Sequence, residues 1–240
     1  MFPRDVMEAI RADAVARFPH ESCGLVIEGE GYVPLPNVAA DPAADFDMGA
    51  TGAAFIAAGG VLALVHSHVN GRDHPSAEDV RQQIASGIPW GLVVTDGEGA
   101  SEPVFWGDGI PEVPLVGRPF RWGPTGTDGR GDCFALVRDY YRARGLLLPE
   151  IPRDGDWQRY SPRLYADGWR AHGFREVNLT DLPPGGAILF TVRNRGLPNH
   201  AGIWLGDGKL LHHQQNRLSC EEFLSDWRRS AVVCLQPPEA

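Results

Sequence analysis

The stretch His66-Ser67-His68-Val69-Asn70-Gly71-Arg72-Asp73-His74-Pro75-Ser76-Ala77-Glu78-Asp79 gathers side chains able to hold a divalent metal. It follows Val61-Leu62-Ala63-Leu64-Val65, an apolar run with the length and β-branching of a buried strand. Side chains alternate across a strand, so His66 and His68 share a face at its end. Pro75-Ser76 predicts a helix start with Asp79 in its first turn. Two imidazoles and one carboxylate leave the fourth position of a tetrahedral zinc free, as in catalytic rather than structural zinc sites. Taken singly, the same pieces also read as an ordinary N-cap with an acid at the helix's positive end, and as two half-buried histidines. His74 reads as an exposed loop residue.

A second constellation carries different chemistry. Asp132-Cys133-Phe134-Ala135-Leu136-Val137-Arg138-Asp139-Tyr140-Tyr141 has apolar and aromatic residues at helical spacing, opening at or just before Cys133 and stopping near Gly145. A thiol at a helix N-terminus is expected to ionise readily, as a thiolate near neutral pH. Downstream, Gly206-Asp207-Gly208 predicts a hairpin turn between two short strands. Pairing Leu205 with Lys209 sets Gly202 opposite His212, and His200 shares the face of Gly202, so the two histidines project together. Nucleophile on a helix start, base on a strand and orienting group on the next strand outline a cysteine-peptidase triad. Ser219-Cys220-Glu221-Glu222 predicts a second helix start, with Ser219 and Glu222 as a capping box. Its two glutamates disfavour a thiolate at Cys220, whereas Arg130 and Arg138 are placed to favour one at Cys133. Cys23 and Cys234 lie in apolar runs and read as core residues.

The first set resembles the JAMM (MPN-plus) metalloprotease signature: Glu21 in Pro19-His20-Glu21-Ser22-Cys23-Gly24-Leu25, then His66-x-His68, residues 69 to 75, and Ser76-x-x-Asp79. The resemblance implies His66, His68 and Asp79 as zinc ligands, Glu21 as general base and Ser76 as a support for the oxyanion. The second set resembles the NlpC/P60 cell-wall peptidases, which implies Cys133, His200 and His212 as the catalytic residues. Leu182-Pro183-Pro184-Gly185-Gly186 is similar to that family's turn into a barrel strand. The chain departs in having Phe134 and Ala135 where small residues usually follow the cysteine, and Phe120 where a tyrosine is usual. Both domains in this order, with Phe120-x-Trp122-Gly123 ahead of Asp132-Cys133, resemble the tail assembly protein K family of long-tailed phages.

That resemblance implies a tail-tip peptidase, made in the host cytoplasm and carried on a phage or phage-like tail to the periplasm. There it would cut peptidoglycan stem peptides at the cysteine site. The alternative is an assembly factor whose zinc-dependent (iso)peptidase site processes or docks a tail partner, possibly one with a ubiquitin-like domain. A scaffold with both sites degenerate sits poorly with the intact ligand and triad positions.

Two domains fit the 240 residues, and 43% hydrophobic content excludes a mostly disordered chain. Residues 107–117, rich in Pro and Gly, read as a linker between a domain at 1–110 and another at 118–240. Residues 1–117 carry 17 acidic and 5 basic side chains against 14 and 17 in residues 118–240. The acidic first half excludes nucleic-acid binding there, and the second half's basic surplus is too scattered for a binding patch. Four unpatterned cysteines exclude a disulfide framework. No signal peptide and no run long enough for a membrane span is expected. The fold class is α+β in both domains. The first is expected as a helix, strands near 24–28 and 31–38, an acidic loop, the histidine strand, a helix from Ser76 and a hairpin from Gly91 to Phe105. This is a mixed sheet with flanking helices. The second is expected as a papain-like helix-plus-barrel domain, with a short helix from Ser219 and a last strand near 231–235.

Overall fold

The computed structural model describes residues 2–193 and 196–238 and divides into two compact units. The first comprises the residues up to Pro111 with Gly126–Asp128, and the second Glu112–Thr125 with the chain from Gly129. Both mix helices with one β-sheet, the α+β class expected.

In the first unit, α1 (Arg4–Arg17) precedes β1 (Cys23–Ile27) and β2 (Gly31–Leu35). Then come α2 (Gly49–Ala58), β3 (Val61–His68), α3 (Ala77–Ser86), β4 (Trp90–Val94) and β5 (Val104–Trp106). The strand order is β2-β1-β3-β4-β5, with β3 and β4 parallel and the other pairs antiparallel. A parallel pair needs a crossover, which α3 supplies. Alternation along β3 sorts its side chains. Ala63 and Val65 pack with Val6, Ile10 and Ala14 of α1, while Leu64 packs on the other face with Leu25, Trp90 and Trp106.

That second face is where the sequence expectation fails. The segment expected as an acidic loop contains α2, whose Phe55 packs against the Leu64 cluster beside Phe46 and Met48. Its sequence, GATGAAFIAA, has no Ser, Thr or Asp cap and only a faint apolar stripe. Tertiary contact, not local signal, makes it a helix.

The second unit opens with α4 (Cys133–Arg142) and two short helices, α5 (Trp157–Tyr160) and α6 (Leu164–Asp167). Six strands follow: β6 (Arg175–Val177), β7 (Ala187–Phe190), β8 (His200–Gly206), β9 (Lys209–His212), β10 (Cys220–Phe223) and β11 (Ala231–Gln236). They form one antiparallel sheet in the order β10-β9-β8-β7-β11-β6. Leu136, Val137, Tyr140 and Tyr141 of α4 pack against Ala187, Ala201 and Ile203 of the sheet. Among the described residues no helix is long and apolar enough to cross a membrane.

The helix expected from Ser219 is not formed. Cys220–Phe223 is an edge strand paired with β9, Cys220 opposite His212. Ser219 does not cap a helix; its backbone and hydroxyl bond to the Arg118 backbone. Glu222 turns to His212 instead of back to Ser219. The capping-box pattern is a local signal, and ladder pairing with β9 outcompetes it.

Candidate metal centre and cysteine site

At the end of β3, His66 and His68 are buried on one face, as alternation requires. Ser76 caps α3: its Oγ accepts from the Asp79 N–H at 3.0 Å, and Asp79 Oδ2 accepts from the Ser76 N–H at 2.6 Å. This box presents the Asp79 carboxylate to the histidines. His66 Nε2 lies 3.3 Å from His68 Nε2 and 3.4 Å from Asp79 Oδ1, and His68 Nε2 lies 3.4 Å from Asp79 Oδ2. Donors about 2.1 Å from a tetrahedral zinc stand about 3.4 Å from one another. Each imidazole nitrogen has that spacing to a different Asp79 oxygen. One donor from each residue falls within 4.8 Å of the others, so a small turn of the carboxylate completes a ligand set. Burial alone would lift the Asp79 carboxyl, but the two imidazoles hold it well below the usual carboxylate range. Burial lowers His66, whereas at His68 the charge and hydrogen bond of Asp79 overcome burial and raise it. The His68 Nδ1–H donates to the Arg72 carbonyl at 3.0 Å, the outer hydrogen bond that fixes a ligating imidazole's tautomer.

Glu21 precedes β1, in which Cys23 pairs with His66. The Ser22–Ser67 hydrogen bonds extend that antiparallel register, setting Glu21 across from His68. Its carboxyl is buried, and burial pushes it up to about 7, with His68 opposing and Asp79 adding to the rise. All five expected residues of this site converge. The sequence reading did not foresee the aromatic wall: Phe46 stacks on His66 at 4.5 Å, with Trp90 and Trp106 edge-on at 5.8 and 6.4 Å. His74 is half-buried rather than exposed.

In the second unit, Asp132 caps α4. Its Oδ1 accepts from the Ala135 N–H at 2.9 Å, fixing the turn that carries Cys133. Arg153 clamps the same carboxylate with bonds of 2.7 and 2.8 Å and also pairs with Glu150. Arg138 is engaged by Glu150 and the Leu148 carbonyl, so Arg153, not Arg130 or Arg138, is the cation acting on Cys133. Arg153→Ala would leave Asp132 buried and uncompensated. A loss of about 3–5 kcal/mol is expected, read as a lower urea midpoint.

The thiolate expectation is corrected by burial. Cys133 is only 5% exposed, and desolvation, then Asp132, pushes its thiol up to about 11. The Tyr165 hydroxyl sits 3.2 Å from Sγ. Phe120, which has no hydroxyl, packs edge-on against His213 at 5.2 Å. Iodoacetamide alkylation of Cys133 is therefore expected to keep climbing from about pH 7 to about pH 9, roughly tenfold per unit, because only thiolate reacts. A plateau reached below neutrality would overturn this.

The hairpin register is as expected at its centre, Gly202 opposite His212, although Gly206 and not Leu205 pairs with Lys209, across a bulge. His200 Nε2 lies 3.0 Å from His212 Nδ1, and His212 Nε2 lies 3.2 Å from Glu222 Oε2. Glu222 also accepts from Trp227 Nε1 at 2.8 Å and Arg217 at 2.7 Å. Sequence reasoning missed Glu222 because it was read as a helix cap. Burial lowers both histidines, His200 to about 3, so both are neutral. A carboxylate only accepts, so His212 carries its proton on Nε2 and its bare Nδ1 accepts from His200 Nε2–H. His200 Nδ1 is left as a free base. His200 and Cys133 line one polar cavity with Asn199, Gln214, Arg217 and His213. His213 is fully buried, and burial lowers its imidazole to about 4.

Residues 3–107 match the model for prokaryotic homologs of the JAB domain, and residues 117–235 match that of the NlpC/P60 family. Tail tip assembly protein K of Escherichia phage lambda is 37% identical over 172 residues, 71% of this chain and 79% of that one. Its counterpart in Escherichia phage N15 is 35% identical over 229 residues, 89% of this chain and 86% of that one. The murein DD-endopeptidase MepH of Escherichia coli (strain K12) is 29% identical over 96 residues, 40% of this chain and 31% of that protein.

Proposed function

The chain belongs to the tail tip assembly protein K family, and from that premise we propose that it is a tail-tip peptidase that cuts peptidoglycan stem peptides at Cys133. The observation that carries this reading is the hydrogen-bonded relay His200–His212–Glu222, whose free end, His200 Nδ1, belongs to a residue lining the same cavity as the thiol. His200 takes the thiol proton as Sγ attacks the scissile carbonyl, and returns it to the departing amine. Water then attacks the thioester with His200 again as base, releasing the acid and restoring the thiol. His212 orients His200, and Glu222 fixes the tautomers of both. The unpaired N–H groups of the first turn of α4 are donors for the developing oxyanion. The amide- and arginine-lined cavity suits a peptide bearing free carboxylates, as stem peptides do.

In the first unit, His66, His68 and Asp79 are the residues that would hold zinc. The ion supplies Lewis acidity and lowers the pKa of water. Glu21, near neutral pKa and opposite His68, is suited to receive a proton and pass it on to a leaving amine. The Ser76 oxygen accepts from Asp79, which leaves its own hydroxyl proton available to an oxyanion. This supports a zinc-dependent (iso)peptidase activity at the His66 centre.

Purified sacculi incubated with the protein and analysed by mass spectrometry test the first reading. Wild type should release cut stem peptides with or without chelator, and Cys133→Ala none. Absence of release by wild type, or its loss on chelation, would overturn it.

A further inference from the structure

β10 is an edge strand, and its pairing places Cys220 directly opposite His212, so the two side chains share a face of the sheet with Glu222. The thiol has no part in the peptidase relay. Its Sγ lies 3.7 Å from Glu222 Oε1, while His212 Nε2 lies 3.2 Å from Glu222 Oε2. One donor atom from each of the three residues falls within 4.8 Å of the others. Ligands of a tetrahedral zinc stand about 3.4–3.8 Å apart, so a small side-chain rotation closes the set. Trp227 and Arg217 hold the carboxylate from outside, as the outer partners of a metal ligand do. Cys220 and Glu222 are partly exposed, which gives an ion a path from solvent to the buried His212. Imidazole, thiolate and carboxylate together select zinc, cobalt or cadmium over magnesium or calcium.

We propose that His212, Cys220 and Glu222 form a regulatory site for a thiophilic divalent cation, distinct from the His66 centre, and that filling it switches off the Cys133 site. The switch rests on the reading of His200 as the general base. Without metal, His212 and His200 each carry a proton on Nε2. Coordination takes the His212 Nε2 lone pair, so that ring keeps its proton on Nδ1 and donates it to His200 Nε2. His200 must then carry its own proton on Nδ1, the nitrogen that served as base. Each imidazole keeps one proton, and the Cys220 proton goes to solvent. The inhibited and active forms differ in tautomer, without any change in fold.

Cobalt(II) added to the full-length protein tests the site. The His66 centre contains no sulfur, so a thiolate-to-cobalt charge-transfer band in the near ultraviolet reports a cysteine ligand. The band should appear in wild type, in the His66→Ala/His68→Ala double variant and in Cys133→Ala, and vanish in Cys220→Ala. No band in wild type, or a band that survives Cys220→Ala, overturns the site. Zinc beyond the first equivalent should then slow stem-peptide release by about a hundredfold, the cost of losing a placed general base. Cys220→Ala should resist that inhibition. A Cys220-dependent band without inhibition overturns the switch. Failure of metal-free wild type to release any stem peptide overturns the peptidase reading instead, and leaves the cobalt result to judge the site.

Discussion

Replacing His200 with alanine should lower the rate of stem-peptide cleavage by about 10⁴-fold or more, close to the loss in Cys133→Ala, because members of such a unit fail together. Burial pushes the thiol up to about 11 and the imidazole down to about 3, so at neutral pH the resting pair is neutral and attack depends on proton transfer to His200 Nδ1. His212→Ala removes the orienting ring and should cost less than His200→Ala. Glu222→Gln is the sharper test. An amide can donate as well as accept, so it no longer dictates which nitrogen of His212 carries the proton. A fall of about 10- to 100-fold is expected from this outer position, with KM nearly unchanged. Equal rates for Glu222→Gln and wild type would remove Glu222 from the mechanism. Comparable losses in folding stability and activity would assign it a structural role only.

Protein purified with zinc should retain about one tightly held ion per chain through gel filtration, by elemental analysis. The His66→Ala/His68→Ala variant should lose that tightly held ion, keeping only what the weaker Cys220 site holds. Three residues with one donor each within 4.8 Å of the others are brought together before the metal arrives, so little ordering cost opposes binding. Zinc at a hundred times its dissociation constant stabilises the folded unit by about 2.7 kcal/mol. Chelation should then lower the first unit's melting temperature by roughly 10 °C in wild type and leave the double variant unmoved. Glu21→Gln should keep the zinc, because that carboxylate lies across from His68 without joining the three-donor set. It should lose about 10²- to 10⁴-fold of any first-site hydrolysis. Loss of metal in Glu21→Gln would make it a ligand and overturn its role in proton transfer.

Both candidate sites were legible where the deciding interactions are local. His66 and His68 share a face because a strand alternates, and Asp79 joins them because Ser76-x-x-Asp79 closes a cap within one helical turn. Gly202 faces His212 as the hairpin pattern predicts, although a bulge between Trp204 and Gly206 is needed to offset the Gly206–Lys209 turn and restore that register. Cys133 opens a helix because Asp132 caps it. The family resemblance implies a chemistry for each from the same residues.

What only the tertiary structure decided involves groups brought together by pairing or burial. Ser219-Cys220-Glu221-Glu222 satisfies a helix-cap pattern, yet β9 offers a full ladder of backbone hydrogen bonds, and the segment becomes a strand that delivers Glu222 to His212. Arg153 finds Asp132 across 21 residues of chain, and nothing local in either neighbourhood announces the pair. α2 gains its helix from contact with the Leu64 face. The charge state of Cys133 reverses for the same reason. Exposure at a helix N-terminus would favour the thiolate, but enclosure by the protein removes water from the sulfur, and this desolvation, with the Asp132 charge beside it, raises the thiol's pKa. Residue type, strand and helix period and turn chemistry determined which groups could act; three-dimensional packing set their protonation and their partners, because solvent exclusion and strand pairing depend on residues distant in the chain.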